Sequence, residues 1–155
     1  MNIMFAYDDS RNARLALKRT LDIFGKLQPM IILIAVVEQN LDTSSSSESN
    51  YLQAREKFTA AVRETAESVS EQGFDVEVIV GEGDARKVIL KAVQNLTPDL
   101  LVIARRSHEP DGNVIGQSID ALVEEFNFMT FGSVSSFLAR RATCPVLIQA
   151  CPAVL

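Results

Sequence analysis

The amino-acid sequence predicts a doubly wound α/β domain: a five-stranded parallel sheet with helices on both faces, in a three-layer α/β/α sandwich. Three observations carry that expectation. Short apolar runs alternate with stretches of helical periodicity along the chain. Met30–Val37 is apolar at every position, the pattern of a strand covered from both sides. Crossovers between parallel strands are right-handed, which distributes successive helices over the two faces.

The elements follow in order. Residues 2–7 form a short apolar strand that runs into the polar turn Asp8-Asp9-Ser10, where Asp9 or Ser10 caps a helix carried by Leu17, Leu21 and Phe24. Gly25 and Pro29 end that helix and Met30–Val37 follows as the second strand. Residues 40–50, with the run Ser44 to Ser47, read as a flexible loop. Residues 51–72 form an amphipathic helix with Phe58, Val62, Ala66 and Val69 inward and Glu56, Lys57, Arg63, Glu64 and Glu67 outward. Gly73 closes it. Residues 74–80 form the third strand, with Val76, Val78 and Val80 on one face, and residues 81–84 turn into a helix capped by Asp84 that carries Val88, Ile89, Ala92 and Val93. Pro98-Asp99 introduces the fourth strand, Leu100–Ala104. Within the segment 105–131, residues 118–126 place Ile119, Leu122, Val123 and Phe126 on one helical face. Gly132-Ser133 opens the last helix, and Cys144-Pro145 leads into a final strand at 146–150.

The chain has 155 residues, which suits a single domain over 1–155 with its own core. Hydrophobic residues make up 47% and charged residues 23%, with a net charge of −5. That acidic balance argues against nucleic acid and anionic membranes as partners, since both require a basic face. No segment approaches the ~20 apolar residues of a membrane span. Residues 1–10 show no basic leader before a long apolar run, so a cytoplasmic location is expected. Cys144 and Cys151 stand seven positions apart, on opposite faces of a strand, so they are not expected to pair; Cys144 reads as a small buried hydrophobe. A single histidine, His108, leaves no cluster for a transition metal and no catalytic partner nearby.

In a doubly wound sheet, ligands bind beyond the carboxyl ends of the strands, where the strand order reverses. The candidates at those ends are Ala6, Tyr7, Asp8, Val36, Ala104, Arg105, Arg106 and Ser107, joined by Gly132, Ser133 and Val134 if the last helix starts over the same edge. A helix start leaves backbone N–H groups unpaired at the positive end of the dipole, which suits an anion such as phosphate. Arg105 and Arg106 have the geometry to add charged hydrogen bonds to phosphate. They also read as a solvated pair at a strand end, or as partners for Asp8, Asp9 or Glu109.

Four stretches taken together resemble the universal stress protein family: 2–10 with its following helix, 78–84, 99–104, and Gly132-Ser133-Val134 through Cys144-Pro145-Val146-Leu147-Ile148. The resemblance implies a Rossmann-like fold of the adenine-nucleotide-α-hydrolase type. In the family's ATP-binding branch, the loop after the fourth strand follows Gly-x2-Gly-x9-Gly-Ser/Thr, and an acidic residue after the first strand contacts the nucleoside. Asp8 and Gly132-Ser133-Val134 match. The first two glycines are replaced by the stretch Ala104-Arg105-Arg106-Ser107, and 24 residues separate Ser107 from Gly132 where the pattern has nine, which marks an inserted segment at about 108–126. Its Phe126, with Phe128 and Phe131, is read as core, as a lid or as a docking surface.

Two functions are then weighed. One is a non-enzymatic regulatory homodimer with an altered nucleotide pocket; the other is a switch that binds ATP or another adenine nucleotide with at most slow hydrolysis. No cofactor is demanded by the residues, and ATP is the one the resemblance admits. The resemblance also implies pairing of two copies through the last strand, with Val146, Ile148 and Ala150 on one face and Leu147 on the other. An ATP-pyrophosphatase-type enzyme would need a glycine pair after the first strand, and Tyr7-Asp8-Asp9-Ser10 has none.

Overall fold

In a computed structural model, residues 1–38, 45–105 and 132–150 are described. Among these residues five strands alternate with four α-helices: β1 (Asn2–Ala6), α1 (Arg11–Phe24), β2 (Met30–Val37), α2 (Ser45–Glu71), β3 (Val76–Glu82), α3 (Ala85–Leu96), β4 (Leu100–Ala104), α4 (Ser133–Arg141) and β5 (Val146–Gln149). The strands form one sheet in the order β3-β2-β1-β4-β5, every pairing parallel. The doubly wound expectation is met.

Strand alternation sorts the core into two layers. On β1, Ile3 and Phe5 point to one side and Met4 to the other; all three are fully buried because β1 lies mid-sheet between β2 and β4. The first layer packs Ile3, Phe5, Leu33 and Val102 against Ala16 and Leu17 of α1 and Val62 and Val69 of α2. The second packs Met4, Ile32, Leu101 and Ile103 against Ile89 and Val93 of α3 and Leu138 of α4. Helix ends are set by the expected caps. Ser10 Oγ accepts from the Ala13 N–H at 3.1 Å, and Asp84 Oδ1 accepts from the Arg86 N–H at 2.9 Å.

The structure corrects several boundaries, beginning with β1, which ends at Ala6 where the strand was expected to include Tyr7, and with α2, which ends at Glu71 and not Gln72. Helix α2 begins at Ser45, so residues 45–50 of the expected loop are helical, with Glu48 favourably placed in the first turn. Strand β3 runs to Glu82 because pairing with β2 continues through Val36–Gly81 and Val37–Glu82; the turn is left to Gly83, at φ +113°, and Asp84. At its start, Phe74 joins the first layer and not the ladder. Strand β5 stops at Gln149, leaving Ala150 exposed beyond it. Cys144 is half-buried where full burial was expected, because it precedes the edge strand, yet burial still pushes its thiol up from the ordinary range. The expected helix at 118–126, His108, Phe126, Phe128, Phe131 and Cys151 lie outside the described residues.

Candidate functional site

Between β1 and β4 the direction of winding reverses: β1 continues through α1 to β2 on one side, and β4 is followed by β5 on the other. In doubly wound sheets, ligands bind beyond the carboxyl ends of the strands at such a reversal. Only residues 142–145 connect α4 to β5, and β5 is parallel to β4. The carboxyl end of α4 must then stand at the amino rim of the sheet, and Gly132 and Ser133 at the carboxyl rim with Asp8. The topology brings the two halves of the candidate site to one edge.

Individual placements are sharper. Ala6 ends β1 and Val36 nears the end of β2; both are half-buried and pack on the α3/α4 layer, as does Val134. Ala104 ends β4 with its methyl against the α1/α2 layer. The ladder continues one step further, Arg105 N–H donating to Gln149 O at 2.9 Å, so the alternation assigns position 105 to the α4 side. The Arg105 side chain is exposed and forms no ion pair with another described residue, while its carbonyl accepts from Asn12 Nδ2 at 3.1 Å. The expected alternative of an Arg105 pairing with Asp8 or Asp9 is not seen; Asp9 pairs with Arg14 at 2.9 Å. Arg106 and Ser107 lie outside the described residues.

Gly132 has φ −56° and ψ 157°, a conformation open to any residue, and a Cβ built on it would meet no described residue within 4 Å. Gly132 has no side chain with which to cap α4. Ser133 is exposed. Asp8 is also exposed, its Oδ1 accepting from the Ser10 N–H at 3.0 Å in a local turn. Asp84 is engaged as the α3 cap, where hydrogen bonds from Arg86 hold its carboxyl down at about 2.

Tyr7 goes elsewhere. One step past Ala6, its ring enters the α1/α2 layer at 2% exposure, and its side chain is turned from the α4 side. The hydroxyl lies 2.9 Å from Thr65 Oγ1 and donates to Asp9 Oδ1 at 3.0 Å. Burial pushes the hydroxyl above its ordinary range, which keeps it protonated as that donor. Asp9 itself has φ +58°, a left-handed conformation that Asp adopts more readily than most residues other than glycine. Thr65 and Arg14 were not anticipated. A signal existed for Thr65, which falls three residues after Val62 and four before Val69 on the inward stripe of α2. Beside this group, a depression of about 290 Å³ lies between α1 and α2, lined by Tyr7, Arg14, Leu17, Thr65 and Val69 among others. Among the described residues no group of three or more His, Cys, Asp or Glu is arranged to hold a metal, and no helix is long and apolar enough to cross a membrane.

Comparison with known proteins agrees with this architecture. The family described as the universal stress protein family matches residues 1–149. A curated relative, universal stress protein Sll1654 of Synechocystis sp., is 29% identical over 147 residues, spanning 94% of this chain and 83% of that protein. Among solved structures, universal stress protein UspA from Lactobacillus plantarum superposes with a TM-score of 0.69 at 17% identity, covering 96% of each chain. A family protein from Arabidopsis thaliana with AMP bound superposes with a TM-score of 0.68 at 20% identity, over 99% of this chain and 94% of the other. At these identities the two structures speak for the fold alone.

Proposed function

The chain belongs to the universal stress protein family, and from that premise we propose that it is a regulatory protein that binds an adenine nucleotide at the carboxyl rim between β1, β4 and the amino end of α4. The observation that carries this reading is Gly132. Neither its backbone angles nor any described residue within 4 Å of the position requires glycine, and we read the missing side chain as leaving the amides at the start of α4 open to close approach by phosphate. Two departures from the family pattern fit the same reading. The Ala104 methyl packs into the opposite layer and so does not compete for that space, and Arg105 offers a guanidinium on the α4 side. Asp8 is the acid for the nucleoside end. The pocket is thus altered in its loop and retained at its helix.

The action is binding, with hydrolysis slow or absent: Asp8 already accepts from the Ser10 amide, and Asp9 from Arg14 and Tyr7. Titration calorimetry with AMP and ATP is expected to show saturable binding at one site per chain, with ATP recovered intact after overnight incubation. No heat and no thermal shift at millimolar nucleotide would end the reading; turnover within minutes would end its regulatory half.

The assembly proposed is a homodimer through β5. Among the described strands β5 is at the sheet edge, and all four of its residues are half-buried, with Val146 and Leu147 packing on opposite layers, an edge suited to pairing with a second copy. Light scattering at micromolar concentration should give twice the 17.0 kDa chain mass. A monomer at that concentration removes the dimer and leaves the nucleotide reading standing.

A further inference from the structure

Among the described residues three other than glycine have positive φ, and two of them need no special account: Gln28 ends the 3₁₀ turn Gly25–Leu27, and Thr97 ends α3, both places where left-handed residues are usual. Asp9 begins no such motif. It lies in the turn between β1 and α1, next to Asp8, and the structure spends several groups on it. Its Oδ1 takes the Tyr7 hydroxyl at 3.0 Å and the Arg14 Nε and Nη2 at 3.0 and 2.9 Å. Tyr7, one residue past β1, is in turn tied to Thr65 of α2 at 2.9 Å, so α1 holds the carboxylate directly through Arg14 and α2 holds it indirectly through Tyr7. The left-handed step at Asp9 sets the direction in which the chain leaves Asp8, and with it the local turn closed by Asp8 Oδ1 and the Ser10 N–H. A left-handed residue whose carboxylate is held by both Tyr7 and Arg14, beside a candidate ligand, is the pattern of a preorganised site.

We infer that Tyr7, Arg14 and Thr65 act through Asp9 as positioning residues that aim Asp8 at the rim. The inference rests on the nucleotide reading for its ligand, but the clamp itself has a readout that needs none. Tyr7→Phe removes one oxygen from a buried ring and keeps its packing; Thr65→Val removes the second partner from α2 without touching the rim. Tyr7→Phe is expected to weaken AMP binding about 5- to 10-fold and Thr65→Val about 2- to 5-fold. Asp9→Gly, which accepts the left-handed angle but loses the clamp, should match Tyr7→Phe, and Asp9→Asn, which keeps an acceptor and tolerates that angle, should recover part of the loss. Without nucleotide, hydrogen exchange of the Ser10 amide, followed by NMR, should be severalfold faster in Tyr7→Phe, with the sheet amides unchanged. Affinity within twofold of the parent in both Tyr7→Phe and Thr65→Val overturns the inference, as does faster exchange spread evenly over the sheet, which would make Tyr7 a packing residue only. If the parent protein binds no adenine nucleotide, the proposed function falls, and the Ser10 exchange rate alone decides the clamp.

Discussion

Replacing Phe5 with alanine is expected to remove about 3–5 kcal/mol of folding stability, lowering the melting temperature by roughly 10 °C. Phe5 is fully buried at the middle of β1, the central strand, with Leu33 of β2 and Val102 of β4 beside it in register. Its ring also approaches that of Tyr7, with centroids 6.4 Å apart and planes tilted by 53°. The cavity left by truncation is bounded by strands on both sides and by α1 and α2 above, none of which can close over it without disturbing the ladder. The change should appear in urea unfolding as a lower midpoint with an unaltered slope. A loss below about 1 kcal/mol would mean that this layer relaxes freely, against its packing. Leu15, at 38% exposure on α1, provides the contrast: Leu15→Ala should stay within about 0.5 kcal/mol of the parent.

Gly132→Val is expected to reduce adenine-nucleotide affinity at least tenfold while changing stability by less than about 1 kcal/mol. The two halves of this prediction come from one fact: a side chain at 132 enters space that no described part of the fold occupies. Gly81 shows the opposite case. A Cβ there would come within 2.5 Å of Val88 Cγ1 on α3, so that glycine is required by packing and its replacement harms folding whether or not a ligand exists. Calorimetry and thermal unfolding on the Gly132→Val protein separate the outcomes. Undiminished binding would place the nucleotide, if it binds, away from α4, and a large loss of stability would show that glycine is needed there by the fold itself.

Much of this protein was legible before any coordinates. Met30–Val37 and Leu100–Ala104 read correctly to the residue, because continuous apolar runs bounded by turn residues leave little choice of ends. The caps Ser10 and Asp84 were equally plain, since capping depends on neighbours within three residues. The start of α2 was not, because serines at a helix start resemble serines in a loop. The end of β3 was missed for a related reason: whether Gly81 turns or pairs depends on β2, which is distant in sequence.

The candidate site divides along the same line. Asp8, Gly132 and Ser133 could be singled out from residue type and family pattern, and a doubly wound order already implied a crevice at the carboxyl rim. Which residues face that crevice was decided by the sheet. Odd positions of β1 turn toward α1 and α2 and even ones toward α3 and α4, which sends Tyr7 away from the α4 side and leaves Ala6 facing it. The clamp on Asp9 joins residues up to 58 positions apart, through Tyr7 and Thr65. Sequence by itself determined the elements, their caps and the two-sided burial of the central strands, because those follow from local periodicity and composition. Tertiary structure alone decided the strand order, the layer each side chain enters and the partners of Asp9 and Arg105, because these depend on which distant segments pair.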